Sequence, residues 1–211
     1  MPLKEIQEIN SNTFIGIWEI TENVNRLLLN IKLSAEEKAC FNQFKVDVRR
    51  KQWLAYRHVI RELLKADSVE IVYDKSGKPK ARGFKHYISI SHSGDYAVVI
   101  ISESQPVGID IEQISKRITK VKNRFLSDRE LNSISGNDEL EKCCIYWCAK
   151  EALYKLYGKE KLDFKENILI EPFSNNTEVS FTGIISNKEI RKEYNLYYQK
   201  IRDYFLVYAL G

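Results

Sequence analysis

The order of apolar and polar positions divides the chain into alternating helix-like and strand-like stretches. Thr13 to Ile20 is rich in β-branched and aromatic residues and reads as an opening strand. Thr21 or Asn23 offers a cap for a short helix after it. Ser34-Ala35-Glu36-Glu37 carries the capping-box pattern, a Ser with Glu three positions on. It opens a long helical stretch broken once near Asp47. The second part, Arg49 to Leu64, places Trp53, Tyr56, Ile60, Leu63 and Leu64 at helical spacing, with Arg49, Arg50, Lys51, Arg57 and Arg61 among them. That pattern predicts a buried stripe with a solvated basic flank. Val69 to Tyr73 predicts a strand, and Asp74-Lys75-Ser76-Gly77-Lys78-Pro79 a turn. Ile88 and Ile90 alternate with Ser89 and Ser91, which predicts a half-buried strand ending at His92. Ala97 to Ile101 reads as a more fully buried strand.

Beyond Pro106 the pattern resumes with Val107 to Glu112, a short strand. Val121 to Ile134 reads as one helix, with a cap at Ser127 and the acids Asp128 and Glu130 near its start. Leu140 to Tyr157 is a strong helix that Gly158 ends. Ile168 to Ile170, Val179 to Ile185, Tyr194 to Lys200 and Tyr204 to Leu210 form an antiparallel set, its tyrosines read as sheet packing. Helix and strand content recurs on both sides of about residue 105 without a sharp repeat of letters. Two similar α+β halves, 1–105 and 106–211, fit this arrangement.

With 211 residues, 44% of them hydrophobic, the chain can build a sizeable core, and global disorder is excluded. No run of 18 apolar residues occurs, so no helical membrane span is expected. The opening Met1-Pro2-Leu3-Lys4-Glu5 lacks the layout of a signal peptide, which makes the cytoplasm the expected compartment. A net charge of +4 suits an acidic partner or a polyanionic ligand without establishing either. The cysteines Cys40, Cys143, Cys144 and Cys148 form no C-x-x-C and have no histidine at ligand spacing. They read as reduced and mostly packed.

The chemistry concentrates in two stretches. In Val107-Gly108-Ile109-Asp110-Ile111-Glu112 the two carboxylates lie at i and i+2, on one face of a strand. Paired carboxylates repel unless a cation lies between them, and a hard, oxygen-liking ion such as Mg²⁺ suits them. Taken alone, the hexapeptide is better read as an edge strand with a solvated acidic face. Gly108 lets a backbone or a ligand come close. The second stretch is Trp147-Cys148-Ala149-Lys150-Glu151-Ala152-Leu153-Tyr154-Lys155, where Glu151 and Lys155 share a helix face at i, i+4. They form either an exposed intrahelical pair worth about 0.3–0.5 kcal/mol, or a third metal carboxylate beside a phosphate-neutralising lysine. Ser91-His92-Ser93-Gly94 invites a serine-hydrolase reading, but triad members lie apart in sequence and no G-x-S-x-G elbow occurs.

Ser-His-Ser, then Val-Gly-Ile-Asp-Ile-Glu, then Trp-x-x-Lys-Glu-Ala-x-x-Lys resembles the 4′-phosphopantetheinyl transferases, in particular the larger single-chain, surfactin-synthetase-activating kind. The resemblance covers roughly residues 10 to 210. It implies an α+β pseudo-dimer of two related halves, each a small, mostly antiparallel sheet with helices packed on it, and an active site at their interface. It also implies transfer of the phosphopantetheine arm of coenzyme A to a serine of an acyl or peptidyl carrier protein. The reaction requires Mg²⁺ and releases 3′,5′-ADP. Asp110, Glu112 and Glu151 match the family's metal positions, with Glu151 and Lys155 as catalytic candidates. His92 matches a histidine on coenzyme A phosphate, with Ser91 as its neighbour. Lys155 matches the lysine near the diphosphate. Lys75 and Lys78 resemble a basic turn against the nucleotide, and Arg49 and Arg57 sit in the matching basic helix. Glu36, Glu37 and Lys38 replace two lysines that some relatives carry, so no nucleotide contact is assigned there.

Two base assignments stay open. Glu151 is one, although a metal, Lys150 and Lys155 are expected to lower its pKa; a water on the cation, oriented by Glu112, is the other. A monomer acting on coenzyme A and a carrier protein is expected, with no nucleic acid and no membrane involved. Lys and Arg in the Val121–Arg129 segment suit an acidic carrier. A metal-dependent nuclease is disfavoured because Glu112-Gln113-Ile114 lacks the acid-x-Lys pair of that class. A module that only binds coenzyme A or a carrier has no need of three clustered carboxylates.

Overall fold

A computed structural model of the chain describes residues 3–134, 136–158, 162–174 and 180–211. The chain forms two compact units, Met1–Ser104 and Gln105–Gly211.

In the N-terminal unit the strands β1 (Leu3–Asn10) and β2 (Thr13–Glu19) form a hairpin. The helices α1 (Val24–Leu29), α2 (Ala35–Gln43) and α3 (Asp47–Leu64) follow. A small hairpin comes next, β3 (Ile71–Tyr73) with β4 (Pro79–Ala81), then β5 (Tyr87–Ser93) and β6 (Tyr96–Ser102). The four long strands make an antiparallel sheet in the order β1-β2-β6-β5. Its core joins Trp53, Leu54, Val59 and Ile60 of α3 to Trp18 and Ile20 and to Ala97, Val99 and Ile101 of β6. Each large apolar side chain buried there contributes roughly 1.5–3 kcal/mol. Asn23 caps α1 by accepting from the Arg26 amide, and Ser34 and Glu37 complete the expected capping box of α2.

In the C-terminal unit, β7 (Val107–Gln113) is followed by α4 (Lys116–Val121), α5 (Asp128–Asn132) and the long α6 (Glu139–Tyr157). The strands β8 (Ile168–Ile170), β9 (Ser180–Ser186), β10 (Arg191–Ile201) and β11 (Tyr204–Leu210) complete an antiparallel sheet in the order β7-β11-β10-β9-β8. The aromatic rows pack as sheet furniture: Tyr197 of β10 stacks on its cross-strand partner Tyr208 at 5.1 Å. The three cysteines of α6 are reduced and buried, and Cys40 is exposed.

Three expectations change. The chain opens one strand earlier than Thr13. β1 is an edge strand in which Lys4, Glu5, Gln7, Glu8 and Asn10 have low strand preference, and its pairing with β2 supplies what propensity does not. The stretch from Val121 to Ile134 is not one helix. A 3₁₀ turn at Lys122–Arg124 ends α4, and Phe125 and Leu126 go into the core before Ser127 starts α5. Ser127 shows why, because a cap needs non-helical backbone. Ser89 and Ser91 are buried as well as Ile88, so β5 is not the half-solvated strand that its alternation predicts. The predicted start of β9 at Val179 lies outside the described residues.

The long helix of each unit lies close against a glycine of a strand. A Cβ on Gly108 would stand 1.9 Å from the Ala152 carbonyl oxygen and 2.9 Å from the Leu156 nitrogen, both backbone atoms of α6. A Cβ on Gly16 would meet side-chain atoms of α3, Val59 Cγ1 at 2.4 Å and Leu63 Cδ1 at 3.3 Å. Side chains adjust more readily than a helix backbone. Gly108→Ala is therefore expected to destabilise the protein by about 3 kcal/mol or more, and Gly16→Ala by about 1–2 kcal/mol. Urea unfolding of both variants checks the order, and equal losses would contradict the packing argument.

Candidate active site

Strand alternation puts Gly108, Asp110 and Glu112 on the face of β7 that meets α6. Asp110 is only 3% exposed. Its Oδ1 accepts from Lys155 Nζ at 2.6 Å, and the same ammonium donates to the Ile109 carbonyl at 3.2 Å. β7 is an edge strand of its sheet, as one reading of the hexapeptide holds, but its acidic face is not solvated. Lys155 also departs from the simple helical pair, because its salt bridge crosses to Asp110 on β7. Gly108 makes this reach possible by letting α6 lie against the strand backbone.

Glu151 lies one turn before Lys155. It lines an open pocket of about 470 Å³ with Val121, Arg124, Phe125, Trp147 and Phe164. Phe125 meets Trp147 edge-on at 5.1 Å, and Trp147 packs on Phe164 at 5.6 Å, so the walls are largely aromatic. Burial pushes the Glu151 carboxyl up to about 7; the charge of Asp110 adds to this, Lys155 opposes it, and Glu112 adds a smaller share. In the metal-free chain the net direction is upward, because burial and Asp110 outweigh the lowering by Lys155. Lys150 points away into the core, and Lys155 is engaged by Asp110.

Among the described residues, no three His, Cys, Asp or Glu side chains stand grouped as a metal site. The donor chemistry nevertheless fits a hard cation. Asp110, Glu112 and Glu151 offer only oxygen, and both Asp110 and Glu112 raise the Glu151 pKa, a repulsion that a divalent ion would relieve. In this structure the ammonium of Lys155 supplies positive charge to Asp110.

The remaining predicted residues belong to the N-terminal unit. Arg49 Nη1 contacts His92 Nε2, and its guanidinium lies 5.4 Å over the Phe44 ring. Tyr56 stacks on His92 at 6.4 Å, and its hydroxyl meets that of Tyr73 at 3.1 Å. Tyr73 leads directly into the turn of Lys75 and Lys78. Asp74 builds that turn: its Oδ1 accepts from the Ser76 amide at 3.0 Å, the Ser76 hydroxyl at 2.7 Å and the Lys78 amide at 3.1 Å. The hydroxyl of Ser76 does most to hold the Asp74 carboxyl down at about 2. Gly77 takes the positive φ of 79° that the turn requires. Lys75 is exposed, Lys78 is half-buried with its pKa lowered by that burial, and Ser91 is buried. Arg57 is not available to a ligand. It lies in the core, 3.0 Å from Glu37 and 3.2 Å over the Trp53 ring.

Sequence reasoning missed the pocket walls and the role of Lys150. Lys150 is completely buried and donates to Glu130 Oε2 at 2.8 Å, the Phe164 carbonyl at 2.7 Å and the Ile168 carbonyl at 2.6 Å. Glu130, read from sequence as a helix-dipole acid, completes a capping box with Ser127 and accepts the Ile170 amide at 2.8 Å. The available signal was Ser127-x-x-Glu130 together with a lysine among the apolar positions Tyr146, Ala149 and Leu153.

The Glu151 environment has a measurable consequence in protein kept free of metal with EDTA. A carboxyl with a raised folded-state pKa contributes stability below its ordinary value of 4.5, and this is lost as pH rises through about 7. Glu151→Gln removes the penalty at high pH. It is expected to raise Tm by roughly 5 °C at pH 8.5 and to change it little at pH 5. Thermal scans at the two pH values check this, and an equal shift at both would assign the effect to packing.

Residues 106–209 match the family model described as the 4′-phosphopantetheinyl transferase superfamily. The matched span contains Asp110, Glu112, Glu151 and Lys155. Over 137 residues the chain is 32% identical to the 4′-phosphopantetheinyl transferase psf-1 of Bacillus pumilus, covering 60% of this chain and 58% of that one. It is 33% identical over 119 residues to the 4′-phosphopantetheinyl transferase AcpT of Escherichia coli K12, with 52% and 59% covered. It is 32% identical over 145 residues to the 4′-phosphopantetheinyl transferase gsp of Aneurinibacillus migulanus, with 62% and 58% covered. The chain thus spans somewhat under two thirds of the length of these relatives. Through the matched span, which holds the acidic strand and the Glu151 helix, the C-terminal unit of this chain belongs to the 4′-phosphopantetheinyl transferase superfamily.

Proposed function

We propose that the protein transfers the 4′-phosphopantetheine group of coenzyme A to a serine of an acyl or peptidyl carrier protein, releasing 3′,5′-ADP. The observation that carries this reading is the pocket that bears Glu151, on the helix whose Lys155 is salt-bridged to Asp110, all within the span that matches the family. Attack of a hydroxyl on a diphosphate phosphorus needs negative charge neutralised on the phosphoryl oxygens and a proton removed from the hydroxyl. Asp110, Glu112 and Glu151 are the residues that would hold Mg²⁺, which when bound supplies Lewis-acid charge to those oxygens.

The chain's own residues do the rest. Lys155, its ammonium donating to the Ile109 carbonyl as well as to Asp110, adds a second positive charge beside the carboxylates. The Glu151 carboxylate faces the pocket and takes the proton of the carrier serine. Phe125, Trp147 and Phe164 give the pocket an apolar wall beside Glu151. In the N-terminal unit, Arg49, Lys75 and Lys78 provide the cationic groups for the nucleotide phosphates and His92 a hydrogen-bonding ring beside Arg49, with Ser91 next to His92 on β5. Arg124 is exposed at the pocket and suits an acidic carrier surface. Among the described residues no helix is long and apolar enough to cross a membrane.

The test is the intact mass of a carrier protein incubated with this protein, coenzyme A and Mg²⁺, with an EDTA control. A gain of one phosphopantetheine group that EDTA abolishes is the expected result. Asp110→Asn, which keeps the side-chain shape, is expected to lower the rate by about 100-fold or more. An unchanged rate in that variant would remove the acidic strand from the mechanism. Failure of coenzyme A to bind in calorimetry, with Mg²⁺ present, would overturn the proposed activity.

A further inference from the structure

The buried charge pairs of the two units are built alike. In the N-terminal unit, Ser34 caps a helix, Glu37 closes its capping box, and Glu37 Oε1 accepts from Arg57 at 3.0 Å and from the Ile71 amide at 3.2 Å. In the C-terminal unit, Ser127 and Glu130 make the same box, and Glu130 accepts from Lys150 at 2.8 Å and from the Ile170 amide at 2.8 Å. Twenty positions separate carboxylate from cation in both. The correspondence runs on along the long helices. Val59 and Leu63, two and six positions after Arg57, crowd Gly16; Ala152 and Leu156, at the same offsets after Lys150, crowd Gly108. In this alignment His58 takes the place of Glu151, and Trp18 that of Asp110.

What differs is the space beside the clamp. In the N-terminal unit it is closed: Trp18 stacks on His58 at 5.2 Å, and His58 Nε2 lies 2.8 Å from the Leu27 carbonyl. In the C-terminal unit the corresponding place is the pocket lined by Glu151. The same cation–carboxylate pair therefore serves a helix with no acidic site and a helix that carries one. That identifies the pair as a device for setting the helix, not as a group that touches a substrate.

We propose that Lys150 is a positioning residue: bonded to Glu130 and to the Phe164 and Ile168 carbonyls, it fixes the rotation of α6 and the Phe164 wall so that Glu151 faces the pocket. One residue advances a helix by about 100°, so a lysine pegged into the core commits its neighbour to an adjoining face. Phe164 packs on Trp147 at 5.6 Å and on Tyr154 at 5.5 Å, so the bond to its carbonyl also holds the aromatic wall. The catalytic consequence rests on the transferase reading; the structural claim does not.

The experiment uses the full chain and the variants Lys150→Met, Lys150→Arg and Glu130→Gln. It reads Tm, the ¹³C carboxyl signal of Glu151 in metal-free protein (assigned with Glu151→Gln), and kcat and KM for coenzyme A. Lys150→Met leaves the Glu130 charge buried alone and is expected to lower Tm by about 10 °C or to prevent folding. Glu130→Gln is the milder variant. It is expected to shift the Glu151 signal and lower kcat about 10-fold with KM within about 2-fold. Lys150→Arg, the arrangement of the N-terminal unit, is expected to keep the Glu151 signal in place and kcat within about 3-fold. An unmoved Glu151 signal in Glu130→Gln would overturn the proposal. So would a loss of about 100-fold or more in Lys150→Arg with Tm and signal unchanged, because the ammonium itself would then act on substrate. If the wild-type protein transfers nothing, the activity reading fails by itself, and the carboxyl signal alone decides for or against Lys150.

Discussion

The approach of α6 to β7 is the constraint on which the candidate site depends. A strand residue with a side chain at position 108 would collide with the helix backbone. With glycine there, the helix lies close enough for Lys155 to reach Asp110 and the Ile109 carbonyl in one step. The face of β7 that carries the carboxylates is then covered by a helix that carries another carboxylate and an ammonium. Concentrating these charges in a partly dry place is unfavourable for folding, and the raised pKa of Glu151 is the measure of it. Such a concentration is common where charge is to be handled during a reaction.

Two buried cation–carboxylate pairs hold the scaffold that supports this. Pairs of this kind add little net stability over an apolar replacement, but losing one partner is costly because a bare charge stays behind. Their value here is geometric. Glu37 and Glu130 each join a helix start, a long helix and a strand amide, so three elements share one carboxylate. The apolar clusters of the two units supply the driving force for folding, and the clamps set orientation within each.

In the proposed reaction the two groups of candidate residues would divide the chemistry by charge. The N-terminal unit contributes a contact between Arg49 and His92 and a lysine-bearing turn that Asp74 organises. The C-terminal unit contributes carboxylates, one lysine and an aromatic-walled pocket. Phosphate binding and phosphoryl activation call for these different surroundings, one cationic and accessible, the other acidic and partly dry. The proposed transfer would give that division a reaction to serve, and the superfamily match of residues 106–209 supports it.

Local signals in the sequence determined much of this molecule. The caps at Asn23, Ser34 and Ser127, the stop at Gly158, the strand 204–210 and the paired acids at 110 and 112 are all short-range features, and each is found where its chemistry puts it. Two or more neighbouring residues suffice to specify them, so they are legible without the fold. The tertiary structure decided what depends on residues far apart. β1 exists because β2 offers it an edge. Asp110 is buried because α6 covers its face, and the Glu151 pKa is raised because burial and the nearby Asp110 charge outweigh the opposing charge of Lys155. Arg57 and Lys150, alike in sequence to any solvated cation on a helix, are core residues because a glutamate twenty positions away meets each of them. Charge and burial are properties of three-dimensional neighbourhoods, and only folding brought these neighbours together.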